Sequence, residues 1–129
     1  MTGLPHEKLD AWSESIKLVK EVYAATERFP ASEHPGLRAR IRKVSVGVPA
    51  HIAQGAARQS DAEFLRFLHI AWGSLSELET LLLIAVELGF LEQPVFEQVT
   101  RSCQRIGRLL DGVIRSLQAK VPQEGPAGS

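Results

Sequence analysis

Ser60-Asp61-Ala62-Glu63-Phe64-Leu65-Arg66-Phe67-Leu68-His69-Ile70-Ala71-Trp72-Gly73-Ser74-Leu75, running on to Leu88-Gly89, is the stretch whose periodicity decides the fold. Phe64, Leu68, Ala71, Leu75, Leu78 and Leu82 recur at steps of three and four, which is the rhythm of one helix face. Phe67, Ile70, Leu81, Ile84 and Leu88 form a second stripe, and Trp72, Leu83 and Val86 occupy a third sector. A helix apolar nearly all round needs cover on most sides, more than a lone bundle of four easily supplies. Ser60 and Glu63 stand three apart at its start, where hydroxyl and carboxylate can cap free N–H groups reciprocally. Gly89 closes it.

Helix two is expected from about Gly36 to Ala57, with Leu37, Ile41, Val44, Val48 and Ile52 facing inward. Pro49 lies inside it and removes one backbone hydrogen bond, so a kink is expected there that leaves the carbonyl near Ser45 without its usual donor, with a break into two helices at Gly47 as the alternative. Helix one is expected over about Asp10 to Arg28, ended by Phe29-Pro30, on a stripe of Leu9, Trp12, Ile16, Val19, Tyr23 and Thr26. Helix four starts at Pro94 and runs to about Ala119, with Val95, Val99, Cys103, Ile106, Leu110, Val113 and Leu117 inward. Connections of a few residues favour antiparallel neighbours, and strand-like alternation is lacking. The fold class is therefore all-α, an antiparallel up-and-down four-helix bundle with helix two kinked at Pro49.

The 129 residues suit one domain with a single core, and 44% apolar against 23% charged is an ordinary globular balance. Residues 1–121 are expected to form the bundle. Residues 122–129, Pro122 through Ser129, offer two prolines and little to bury and are expected to be a disordered tail. His6, Glu7, Lys8 and Asp10 stand where a signal peptide needs an apolar run, and no stretch reaches eighteen or so uncharged apolar residues. A cytoplasmic protein without a membrane span is the expectation, and the single Cys103 agrees with it as a buried structural thiol.

Metal and nucleophilic chemistry have little support in the spacing. Di-iron bundles place Glu-x-x-His pairs on facing helices, and this chain has none. His6, His34, His51 and His69 lack zinc-site spacing, although His51 and His69 could face each other across helices two and three. Gly73-Ser74 sits within a helix, where Ala71, Gly73, Ser74 and Ser76 thin the surface for a close helix approach. Neither a cofactor nor an enzymatic activity is expected.

Charge placement is more informative than the net charge of zero. Arg38, Arg40, Arg42, Lys43 and Arg58 follow one another with no intervening acid, whereas Glu77, Glu79, Glu87, Glu92 and Glu97 follow with no base. Arg101, Arg105, Arg108 and Arg115 share one face of helix four, opposite its apolar stripe. Arginine pairs well with phosphate, so Arg38, Arg42, Lys43, Arg58, Arg101, Arg105, Arg108 and Arg115 are candidate contacts to RNA or DNA. The competing expectation is a solvated face whose arginines pair with the acidic segment, within or between subunits. Repetition around an oligomer would concentrate each basic stripe.

Phe29-Pro30, Glu33, Leu37, Ser45-Val46, Val48-Pro49, Ile52-Ala53-Gln54-Gly55, Arg58, Ser60, Glu63-Phe64, Phe67-Leu68, Ile70-Ala71, Gly73-Ser74-Leu75 and Glu77-Leu78-Glu79-Thr80, with Trp12 before them, carry a resemblance. The chain resembles the four-helix-bundle proteins encoded by intervening sequences of bacterial 23S ribosomal RNA genes, a family that also resembles the accessory protein of diversity-generating retroelements. That resemblance implies a homopentameric barrel of bundles, no established enzymatic activity and, in the retroelement relatives, binding of nucleic acid and a reverse transcriptase. Two segments depart from the family pattern. The family has Asn-Ile-Ala-Glu-Gly where this chain has His51-Ile52-Ala53-Gln54-Gly55, and Arg-Ala where it has Lys43-Val44. His51 and Gln54 must then replace any polar contact made by that Asn and Glu.

Overall fold

The computed structural model describes residues 9–121. The segments outside those residues include His6 and the tail from Pro122. Four α-helices make up the architecture: α1 Asp10–Ala25, α2 Ala39–Ala56, α3 Asp61–Glu87 and α4 Gln93–Gln118. Each packs on its neighbour in the chain, and α1 also packs on α4, which closes the up-and-down bundle. The core lies between them on Leu18, Val22, Ile41, Val48, Ile52, Leu68, Leu78, Leu82, Ile106 and Leu110, all buried.

α3 realises both of its punctuation marks. The Ser60 hydroxyl accepts from the Glu63 N–H at 3.1 Å. The reciprocal half of the cap is replaced by a pairing of the Glu63 carboxylate with Arg66, at 3.1 Å. At the other end Gly89 takes φ +81°, and the N–H groups of Gly89 and Phe90 return to the carbonyls of Val86 and Ala85, at 2.9 and 2.8 Å. That pair of bonds is the left-handed glycine stop, which glycine adopts at no steric cost.

α2 departs from expectation at its start and in its middle is continuous through Pro49, as expected, without the break at Gly47 that was the alternative. A 3₁₀ turn, Ala31–Glu33, and a π-type turn, His34–Arg38, precede it, with Gly36 outside helical dihedrals at φ −103°, ψ −108°. The backbone break therefore falls at Gly36 rather than Gly47, and α2 runs continuously through Pro49. Its close approach to α3 uses Gly55, where a Cβ would lie 2.7 Å from Phe67 Cβ. Gly73, expected to serve that purpose, has open space around it.

α1 is turned relative to the expected stripe. Ala11, Ser15, Leu18 and Val22 face the core, whereas Ile16 and Tyr23 are exposed. Small residues let α1 sit close to its neighbours, so the larger ones one position along are displaced outward. The helix ends at Ala25, three residues before Arg28; Thr26 caps it outside helical dihedrals at φ −101°, ψ 6°, its hydroxyl donating to the Val22 carbonyl at 2.9 Å. Phe29 is buried beside Phe90, ring centroids 5.9 Å apart, and plugs that end of the bundle.

Surplus apolar surface on α3 is plain in the fold. Ile70, Trp72, Leu83, Ile84 and Leu88 are 36%, 38%, 47%, 41% and 58% exposed, the largest such set on any one helix among the described residues. By length and composition α3 could cross a membrane, but its inner stripe of Leu68, Ala71, Leu75, Leu78 and Leu82 is built into the core.

Candidate functional site

The eight basic residues singled out by charge placement are not one surface. Arg42 is committed to the fold: its Nε donates to Thr26 Oγ1 at 2.9 Å, one terminal nitrogen donates to the Tyr23 carbonyl at 3.1 Å, and its guanidinium lies 4.3 Å from the Tyr23 ring centroid. A cation at these last carbonyls of α1 also complements the helix dipole. Arg58 stacks on Phe67 at 4.9 Å, with Arg66 over the same ring at 4.6 Å. Arg58 and Lys43 are fifteen positions apart, roughly 22 Å along a helix. Arg38 and Lys43 make no hydrogen bond, ion pair or ring contact with the described residues.

On α4 the four arginines are all exposed on one side, opposite Val99, Cys103, Ile106 and Leu110. Arg105 pairs with Glu14 of α1 at 3.3 Å, and Arg115 pairs with Asp111 one turn before it. Arg101 and Arg108 remain unpaired with the described residues. Together with Arg105 they line a groove of about 490 Å³ between α1 and α4, whose wall includes Glu21, Gln98 and Gln104. One carboxylate oxygen of Glu21 is buried without a hydrogen-bond partner.

The acidic segment divides in the same way. Glu77 pairs with Arg40 across α2 and α3, a contact spanning 37 positions of sequence. Glu97 accepts from the Gln93 side chain at 3.1 Å. Glu79 is half-buried without hydrogen bond or ion pair to the described residues, and burial raises its pKa above the ordinary carboxylate value. It lines a groove of about 470 Å³ between α3 and α4, together with Trp72, Cys103, Gly107, Arg108 and Asp111.

Cys103 is buried, and its thiol pKa is pushed up to about 12 by burial, with the charges of Glu79 and Glu21 adding to the effect. Such a thiol is a poor nucleophile. His51 does not meet His69: its Nδ1 lies 3.0 Å from Gln54 Oε1, and its other nitrogen is near Gly47. His51 and Gln54, which both depart from the family pattern, thus bond to one another. Among the described residues no three His, Cys, Asp or Glu side chains converge as a metal-binding group.

The sequence matches the 23S rRNA-intervening sequence protein model over residues 7–112, nearly the whole bundle. The chain belongs to that family. Its fold is also that of a crystal structure from Bacteroides thetaiotaomicron, a protein of unknown function from the S23 ribosomal protein family. The TM-score is 0.73 at 20% identity, covering 81% of this chain and 97% of the other. No curated protein matches the sequence.

Sequence reasoning missed the division of the arginines into tied and free. Partners such as Glu14 for Arg105 are set by helix packing, and no spacing along the chain signals them.

Proposed function

We propose that this member of the 23S rRNA-intervening sequence protein family is a non-enzymatic, cytoplasmic scaffold that assembles with itself. The observation that carries this reading is the apolar surface left exposed on both flanks of α3, Trp72 and Leu83 on one and Ile70, Ile84 and the following Leu88 on the other. Exposed apolar side chains in this number on one helix mark a surface to be covered, because covering it removes apolar area from water at about 25 cal/mol per Å². The number five comes from the family resemblance. Light scattering coupled to size exclusion at micromolar concentration tests both parts. A mass of five subunits is expected, a monomer overturns self-assembly, and another closed number overturns only the pentamer.

A second reading adds structured RNA or DNA as a ligand, and the pair of unpaired arginines in the α1–α4 groove favours it. Arg101 and Arg108 are uncommitted cations, and an oligomer would present several copies of them. A reverse transcriptase is a partner by analogy with the retroelement relatives alone. A protein-interaction scaffold without nucleic acid is the rival, and retention of RNA or DNA at low ionic strength separates the two.

A further inference from the structure

Two surfaces on different sides of the bundle have complementary shape and charge. The outward side of α2 carries Ala39, Lys43, Val46, Ala50 and Ala53 at steps of four, three, four and three, which is one helix face. Val46 is exposed, and Lys43 is an exposed cation without an ion pair to the described residues. Alanines on either side of Val46 make this face a low ridge, suited to lie in a groove between two helices.

The α3–α4 groove has the matching features. Gly107 contributes no side chain to its floor, and the tip of Trp72 lies 3.9 Å from where a Cβ there would stand. Glu79 is its carboxylate without a cation: Asp111 is paired with Arg115, and Arg108 is beyond ion-pair distance of any acid among the described residues. A carboxylate partly withdrawn from water and left unpaired is costly, and a cation delivered by a partner relieves that cost.

We propose that the α2 ridge of one copy docks in the α3–α4 groove of a second copy, with the Lys43 ammonium against the Glu79 carboxylate and Val46 against Trp72. This rests on the self-assembly reading and names its contact. Because ridge and groove are different surfaces of the chain, the contact is heterologous, and each copy offers a free ridge and a free groove to the next. Such a contact propagates head to tail until a ring closes.

Charge exchange tests the contact. Lys43→Glu and Glu79→Lys each place like charges against one another, and each is expected to weaken the assembly at least tenfold in dissociation constant, read by sedimentation at a series of concentrations. The double variant restores the opposite pair and is expected to assemble again. An equimolar mixture of the two single variants is also expected to associate, since each supplies the charge the other lacks, into alternating open chains or even-numbered rings and not a ring of five, and a misfolded variant could not do so. Wild-type assembly that survives both single substitutions overturns the proposed contact while leaving self-assembly standing. A wild-type monomer overturns the self-assembly reading and the contact with it. A Lys43→Glu protein of unchanged mass that loses retention of RNA assigns the α2 face to nucleic acid and overturns the proposal.

Discussion

Gly55 and Gly73 have the same side chain and opposite roles. At Gly55 a Cβ would lie 2.7 Å from Phe67 Cβ and 3.0 Å from a Phe64 ring carbon, and Phe67 Cβ is fixed to its own backbone and cannot yield. Gly55→Ala is therefore expected to lower stability by about 1–3 kcal/mol, as overpacking does, despite the better helix propensity of alanine. At Gly73 nothing lies within 4 Å, so alanine should raise stability by about 1 kcal/mol through propensity alone. Chemical denaturation of both variants, at a concentration where the oligomeric state is known, checks the opposite signs. Cys103 supplies a pH-dependent counterpart. Its thiol holds the proton to about pH 12 in the folded state, against 9.0 for the ordinary value taken for the unfolded chain. Between these limits the unfolded chain binds fewer protons, so stability falls as pH rises, by up to about 1.4 kcal/mol per unit, and is unaffected by this group below pH 9. Comparing the alkaline slope of the wild type with that of Cys103→Ala isolates the effect, and equal slopes would count against it.

At the scale of elements, the chain announces where its helices stop and start more clearly than which way they face. The Ser60 cap and the Gly89 stop of α3 were both legible, because each depends on chemistry within a few residues. Ser60→Ala should cost about 1 kcal/mol in thermal or denaturant unfolding, the usual penalty for an emptied N-cap. The rotation of α1 was not legible. Large residues at Ile16 and Tyr23 drew the stripe toward themselves, while the core took Ala11 and Ser15, whose small size matters only once a neighbouring helix is in place. Arg42 illustrates the same limit. Counted with the basic surface on sequence grounds, it joins α2 to the end of α1 through Thr26 and the Tyr23 carbonyl. Arg42→Ala should destabilise the bundle by roughly 2 kcal/mol, the range for hydrogen bonds made by a charged group. Lysine should recover only part of it, since one ammonium cannot reproduce the two directed contacts of the guanidinium. Loss of stability with no change in nucleic-acid retention is the expected pattern.

For the whole molecule, the balance of 15 basic and 15 acidic residues hides an uneven distribution of available charge. Sequence placed Arg101, Arg105, Arg108 and Arg115 on one face, and all four are exposed there, yet two have partners close at hand. A phosphate that recruits Arg105 or Arg115 must compete with Glu14 or Asp111, so part of the Coulomb gain is offset by the ion pair lost. Arg101 and Arg108 carry no such cost. If the assembly binds duplex RNA or DNA through this face, each phosphate neutralised should contribute roughly −0.9 to the slope of log affinity against log salt. Arg101→Ala with Arg108→Ala should then flatten the slope by about 2 for every subunit in contact, with the mass of the oligomer unchanged. Arg105→Ala with Arg115→Ala should flatten it less, because those two are held by Glu14 and Asp111 and neutralise fewer phosphates in the wild type. Filter retention or fluorescence anisotropy across a salt series distinguishes the pairs. Equal flattening by both would mean that the intrasubunit ion pairs open without cost in the complex, and a flat wild-type slope would remove phosphate contact from this face and leave the scaffold alone.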